Sequence, residues 1–337
     1  MAKRKRVPPV IRPGSRKPKA GWDEERRSQL LVLALGAAVV IAAALIAVFG
    51  YCQTQVRPKG ETVLQVGNRS FSLDYFERRL RYDVREGSSL YSSNPTQAPT
   101  ILLNEIETEE LMRQGAPEMG VDLSDEAIDA EIRNQEDVPA NADRNTFAVF
   151  YREAVRSSGL TTEGYRDVIA AAIAENAIQP IFVEQAPKTA DQVRFRVIVF
   201  TTESNAQAAL ERLKNGEDFA TVATELSEHE ASRQQGGEQD WTPRGILEPA
   251  LDEALFSLEV GQVSDIITGE SAIFIVQVEE RQSQRETTDT QRALLANQAL
   301  QDWLTQLRDR VGVTTSLSNA QTNSLLKVLQ SEAAKAQ

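Results

Sequence analysis

The longest uninterrupted apolar stretch in the chain is LLVLALGAAVVIAAALIAVF, Leu30 to Phe49, 20 residues without a charge. As a helix rising ~1.5 Å per residue, it spans roughly the ~30 Å hydrocarbon core of a bilayer. A membrane-spanning helix over 29–51 is therefore expected. A buried core helix would carry some polar positions, and a cleaved signal peptide would have a shorter apolar run before a small-residue cleavage site. Further on, VLQV and the turn residues Gly67 and Asn68 lead to Ser72, whose side chain suits a helix N-cap. Leu73, Phe76, Leu80 and Val84 then recur at helical spacing. Ile101–Arg113 predicts a second helix with one apolar and one acidic face, the latter carrying Glu105 and Glu109. Ser124 caps a third, in which Ile128 and Ile132 point inward. TFAVFYREAVRSSG and TTEGYRDVIAAAIAENAI give two more, with Asp137–Thr146 as a loop before them. Residues 61–186 read as a mainly helical domain.

At VRFRVIVF, Val193 to Phe200, β-branched and apolar residues replace the helical period and predict a central strand. ESNAQAALERLKNG and EDFATVATELS follow as amphipathic helices, the first stopped by Gly216. A polar loop comes next, then a helix at PALDEALFSL, a turn at EVGQ and strands at VSDII and SAIFIVQV. The order β, α, α, loop, α, β, β over 190–281 predicts an α+β domain with a small antiparallel sheet. Between Thr290 and Val311, the stripe Leu300, Trp303, Leu304, Leu307 and Val311 predicts a helix that returns to complete the helical domain. The same stripe, left exposed, would serve as a dimer seam. Residues 312–337 read as a flexible tail.

Charge orients this layout. Residues 1–28 hold ten Lys and Arg against three Asp and Glu, so the positive-inside rule keeps this basic arm in the cytoplasm and sends the remainder across the membrane. The remainder has 27 basic and 46 acidic residues, a net of −19, which argues against nucleic acid as a partner. One cysteine, Cys52, excludes an internal disulfide, and together with one histidine, His229, it cannot supply a soft-ligand metal centre. Tyr51 before Cys52 departs from the small residue a lipidation site requires. Neither a G-x-S-x-G elbow nor a phosphate-binding GK[ST] loop is present, so hydrolase and nucleotide-binding readings lack support.

The strand QVRFRVIVF, the run LKNGEDFATVATELS, Gly236 and Gly237, Trp241, and LDEALFSLEVGQVSDII with Phe256 and Gly261 together resemble the parvulin family of peptidyl-prolyl isomerases over Gln192 to Glu280. Upstream, VGNRSFSLDYF and LMRQGAPEMGVDLSDEAIDAEI resemble the N-terminal chaperone domain of membrane-anchored, extracytoplasmic folding factors. Isomerising an X-Pro bond means rotating an amide over a barrier near ~18–20 kcal/mol, which needs an apolar grip on the proline ring and groups favouring the twisted amide. In parvulins, the resemblance implies two facing strand histidines, a Cys or Asp on the loop, and apolar residues around the proline.

Carried onto this chain, the two strand histidines fall at Val197 and Phe274, the loop position at His229, and the apolar position after the Gly-Gly pair at Gln239. Leu247, Leu251 and Phe256 keep the apolar wall. The resemblance thus implies a folding factor with a degenerate isomerase site. His229 is the catalytic candidate, and Val197, Gln239, Leu247, Leu251, Phe256 and Phe274 are the substrate-binding candidates, with no metal or cofactor. Val197 and Phe274 are expected side by side on adjacent strands beneath the loop carrying His229. Implied partners are unfolded or exported polypeptides with X-Pro segments, the membrane and the protein-export machinery. A non-catalytic chaperone or translocon-associated holdase is the alternative, and a lone histidine in a Glu- and Gln-rich loop is as readily explained by solvation.

Overall fold

The computed structural model describes Ile41 and residues 60–335 apart from Ser271. The basic arm, Cys52 and, Ile41 aside, the apolar run of Leu30 to Phe49 lie outside these residues, and with them the expected membrane span. Among the described residues no helix is long and apolar enough to cross a membrane.

The chain begins with a hairpin of β1 (Thr62–Val66) and β2 (Arg69–Ser72), turned at Gly67 with φ +59°. Ser72 then caps α1 (Leu73–Arg85), accepting from the Tyr75 amide, and Leu73, Phe76 and Leu80 are buried. A short α2 (Leu90–Ser93) precedes α3 (Ala98–Gly115), and Ser124 caps α4 (Asp125–Gln135) as its sequence requires. α5 (Arg144–Ser158) starts inside the expected loop because Asp143 accepts from the Thr146 amide at 2.8 Å and so caps a helix there. α6 (Thr162–Gln185) runs on past the expected Ile178, through Pro180.

β3 (Thr189–Phe200), α7 (Glu203–Lys214), α8 (Phe219–Leu226), α9 (Glu230–Gln234), β4 (Glu238–Pro243), α10 (Pro249–Ser257), β5 (Ile267–Thr268) and β6 (Ile273–Glu286) follow. They form a four-stranded antiparallel sheet of order β4-β3-β6-β5. Both faces are covered, which is why β3 reads as a nearly continuous apolar run. Ile198, Phe200 and Ile275 pack with α7 and α8, and Val193, Phe195, Val197, Val276 and Val278 pack with Leu251 and Leu255 of α10. The expected strand VSDII is reduced to β5 and one bridge, Val263 to Gln277. At Ser264 the side-chain Oγ, in place of a backbone carbonyl, accepts the Val276 amide at 3.0 Å, which interrupts the ladder. The polar segment treated as loop also holds α9 and the edge strand β4.

The chain then returns through α11 (Asp289–Val311), begun by a capping box of Thr288 and Gln291. Ala296, Leu300, Leu304 and Leu307 enter the same core as Val63, Phe76, Leu102 and Ile178, so the apolar stripe completes the helical part as its pattern predicts. Two features depart from expectation. The helical part carries a sheet of order β2-β1-β7, closed by β7 (Val313–Thr315) pairing antiparallel to β1. Residues 312–335 are not a loose tail: α12 (Asn319–Lys335) buries Leu325, Val328 and Leu329 in that core, and Ser324 donates to Glu77 at 2.7 Å. A second core, from Ile128, Ile132, Phe147, Tyr165 and Ile169, joins α4, α5 and the start of α6.

Candidate functional site

The substrate-binding candidates meet on the α10 face of the four-stranded sheet. Antiparallel register sets Val197 opposite Val276 and Val199 opposite Phe274. Val197 and Phe274 therefore occupy adjacent strands and one face, but diagonally, two positions out of direct pairing. Ile267 on β5 lies opposite Phe274 and widens the apolar floor. Leu247, ahead of α10, and Leu251 and Phe256 on it pack onto the same cluster. Pro249 in the first turn of α10 starts this helix without needing a backbone donor there, and the 3.6-residue period turns Leu251 and Leu255 onto the sheet.

The Gly-Gly pair sets the other wall. Gly237 has φ +82°, and a β-carbon there would stand 2.7 Å from the Val197 carbonyl oxygen. Only glycine permits both the left-handed turn and this approach. The approach lets the Val197 amide donate to the Gly237 carbonyl at 2.9 Å, after which Gln239 falls opposite Phe195 on β4. Gln239 thus shares the face of Val197 two positions along β3, with its amide turned to the carbonyl of Glu238 at 2.8 Å.

His229 is exposed. It is the N-cap of α9, its Nδ1 3.4 Å from the Ser232 amide and 3.2 Å from the Ser232 hydroxyl. Ser232 and Ser227 are buried and 3.3 Å apart, and Ser227 Oγ accepts the Val199 amide at 3.2 Å. The histidine therefore fastens its loop to the end of β3. Beside it Glu228 accepts from the Thr201 hydroxyl at 2.6 Å and the Asn205 amide at 2.8 Å, which hold its carboxyl below the usual range.

Two features of the site carried no sequence signal. The Arg244 guanidinium lies 5.3 Å over the Phe256 ring and 3.7 Å from Asp252. A cavity of about 450 Å³ opens beside Leu247 toward α11, edged by Glu248, Asp252, Glu270 and Asp302. A smaller cavity of about 220 Å³ lies apart from the sheet, between Phe71, Tyr75 and Arg78 of the hairpin and α1 and Thr161 and Asp167 near the start of α6. Among the described residues no group of three or more His, Cys, Asp or Glu side chains is arranged to hold a metal ion. The apolar cluster can hold an apolar ring by area, at about 25 cal/mol per Å² buried. Arg244, over the Phe256 ring, and Asp252 are the ionisable groups at its edge.

Family models match most of the chain in two pieces. Residues 24–179 match the SurA-like N-terminal domain, and residues 190–282 match the PPIC-type PPIase domain. The chain is similar to the chaperone SurA of Chromohalobacter salexigens, 30% identical over 133 residues, covering 40% of this chain and 29% of that protein. It is also similar to the foldase protein PrsA of Caldanaerobacter subterraneus, 24% identical over 178 residues, covering 53% of this chain and 56% of that one. The match thus spans under a third of that SurA and little over half of that PrsA. Among solved structures, the peptidylprolyl isomerase PrsA of Bacillus anthracis aligns over 70% of this chain and 97% of its own, with 16% identity and a TM-score of 0.39. In chain order, then, a stretch matching the SurA-like N-terminal domain is followed by one matching the PPIC-type PPIase domain.

Proposed function

We propose that this protein is a membrane-anchored folding factor for exported polypeptides, whose parvulin domain holds X-Pro segments in a site degenerate for catalysis. The observation that carries this reading is the apolar floor itself. Val197 and Phe274, the positions of the two strand histidines of parvulins, belong to one apolar cluster with Leu247, Leu251 and Phe256. A proline ring entering there gains burial, while at Val197 and Phe274 the twisted amide meets apolar side chains. The apolar run from Leu30 to Phe49 behind a basic arm supports anchoring by one span with the N-terminus in the cytoplasm, and the acidic remainder supports an extracytoplasmic position. Unfolded chains leaving the export machinery are the partners that fit this placement.

Exchange spectroscopy on a short X-Pro peptide tests the site, using the wild type, His229→Ala and Leu251→Ala. A general acid or base contributes about 10²- to 10⁴-fold, so its removal would be plain. The expected result is weak isomerisation, changed less than about twofold by His229→Ala, with peptide binding lost in Leu251→Ala. Fast isomerisation abolished by His229→Ala would overturn the degenerate site and make His229 its catalytic group.

A further inference from the structure

Arg79 of α1 is 4% exposed and serves three carboxylates at once. Its Nε donates to Asp83 Oδ1 at 2.7 Å, its Nη1 and Nη2 to the two oxygens of Glu109 at 2.6 Å each, and Nη2 again to Glu105 Oε1 at 3.2 Å. Tyr91 of α2, wholly buried, places its hydroxyl 2.5 Å from Glu105 Oε2 and 3.1 Å from Asp83 Oδ2. Other charged or titratable groups near enough to act are Tyr75 of α1, which acts on Arg79 and Glu109, Glu175 of α6, which acts on Glu109, and Tyr82 and Glu86 at the end of α1 and just past it. None of these adds a second cation.

Proton counting decides the state of this cluster. A phenol has one proton, and here it faces two carboxylate oxygens. If Tyr91 donates to Glu105 across the shorter contact, Asp83 Oδ2 faces an oxygen lone pair unless Asp83 carries a proton of its own. A neutral Asp83 completes a chain from Asp83 Oδ2–H to the Tyr91 oxygen and from the Tyr91 hydroxyl to Glu105 Oε2. It also lowers the buried excess of negative charge around Arg79. Burial pushes Asp83 up to about 6 against the pull of Arg79, with Glu105 and Glu109 adding to the rise. Burial likewise raises Glu109 and keeps the Tyr91 hydroxyl protonated.

The position of Tyr91 gives this proton a mechanical role. Among the described side chains from Glu86 to Gln97, Tyr91 alone is buried, and its neighbour Leu90 is 56% exposed. The Tyr91 ring and hydroxyl tie the segment to the core, beside the backbone bond from the Ser88 amide to the Asp83 carbonyl at 3.0 Å. We propose that Asp83, Tyr91 and Glu105 form a proton-dependent latch: with Asp83 protonated, residues 86–97 lie closed on the helical core, and loss of that proton frees them and uncovers apolar side chains. In the open segment, Asp83 is solvated and regains an ordinary carboxylate affinity. The closed state is the one with the raised value, so its advantage is full below about pH 4 and is lost as pH rises to about 6. This device resides in the helical part and stands whether or not the parvulin site is catalytic.

Hydrogen exchange of the full-length protein, corrected for intrinsic rates, tests it at about pH 5 and about pH 7.5. Opening of residues 86–97 in the wild type should rise about tenfold over that interval. In Asp83→Asn, whose amide oxygen still accepts from Arg79 and whose N–H can donate to Tyr91, opening should stay flat. A wild type without pH dependence in this segment, or an Asn variant with the same dependence, overturns the latch. Carbon NMR of the Asp83 carboxyl in the wild type needs no variant: a midpoint near 6 supports it, and one below about 4.5 overturns it.

Discussion

Gly237 and Gly216 separate two roles that a glycine can have. Both have positive φ, +82° and +88°, yet a β-carbon at Gly216 would meet nothing within 4 Å, while one at Gly237 would press on the Val197 carbonyl and the Ala223 β-carbon. Gly216→Ala should therefore cost only the left-handed backbone, about 1–2 kcal/mol. Gly237→Ala adds a clash with backbone that also pairs β3 to the turn, and should cost about 2–4 kcal/mol. Urea denaturation of the two variants checks this, and equal losses would show that β4 can retreat from Val197 freely. For His229 the sequence carries the position, while its capping contacts are set by the fold. The sequence places it four residues before Arg233 and eight before Gly237. Whether its ring meets a substrate or caps α9 depends on the buried hydroxyls of Ser227 and Ser232, which look in sequence like any solvated serines.

Elements with a strong period and their own caps were readable along the chain. Ser72 and Ser124 each accept from the amide three residues on, and the apolar stripes behind them are buried as their spacing requires. Short or partner-dependent elements were not. β7 is three residues long and takes its register from β1, about 250 positions earlier, so nothing local specifies it. α12 shows a diluted pattern, SLLKVLQSEAAK, whose apolar residues become decisive only against α1 and α3. Leu325 is wholly buried there, and Leu325→Ala should destabilise the helical part by about 2–4 kcal/mol, through lost transfer energy and an incompletely filled cavity. A denaturation midpoint unchanged by this substitution would return 312–335 to the status of a loose tail. Register has the same long-range character in the site: that Val197 and Phe274 share a face follows from strand parity, but their diagonal offset is set by the pairing of Val197 with Val276.

The course of the whole chain makes the parvulin part an insertion between two halves of the helical part. It leaves through α6 and β3 and returns through β6 and α11, and the two crossings touch. The Thr287 amide donates to the Lys188 carbonyl at 3.0 Å, and the Thr287 hydroxyl to the Pro187 carbonyl at 2.8 Å. Residues 189–286 thus begin and end at nearly the same point. The helical core, in contrast, draws Val63 to Ala186 and Ala296 to Leu329 into one cluster, so neither half buries its apolar face alone. Replacing 189–286 by a short Gly/Ser linker should therefore leave a helical part that folds cooperatively. Its losses would be single polar links to the inserted sheet, such as Gln291 Nε2 to the Trp241 carbonyl at 2.6 Å, worth about 1 kcal/mol net. Ending the chain at Ala186 should instead leave a collapsed state without a sharp transition, because Trp303 and Leu307 no longer cover Gly115, and Leu300 and Leu304 no longer fill the core. Calorimetry and near-ultraviolet circular dichroism on the two deletions distinguish the cases. A cooperative transition in the Ala186 truncation, or none in the excised chain, would show that the inserted sheet organises the helical core, which its adjoining ends argue against.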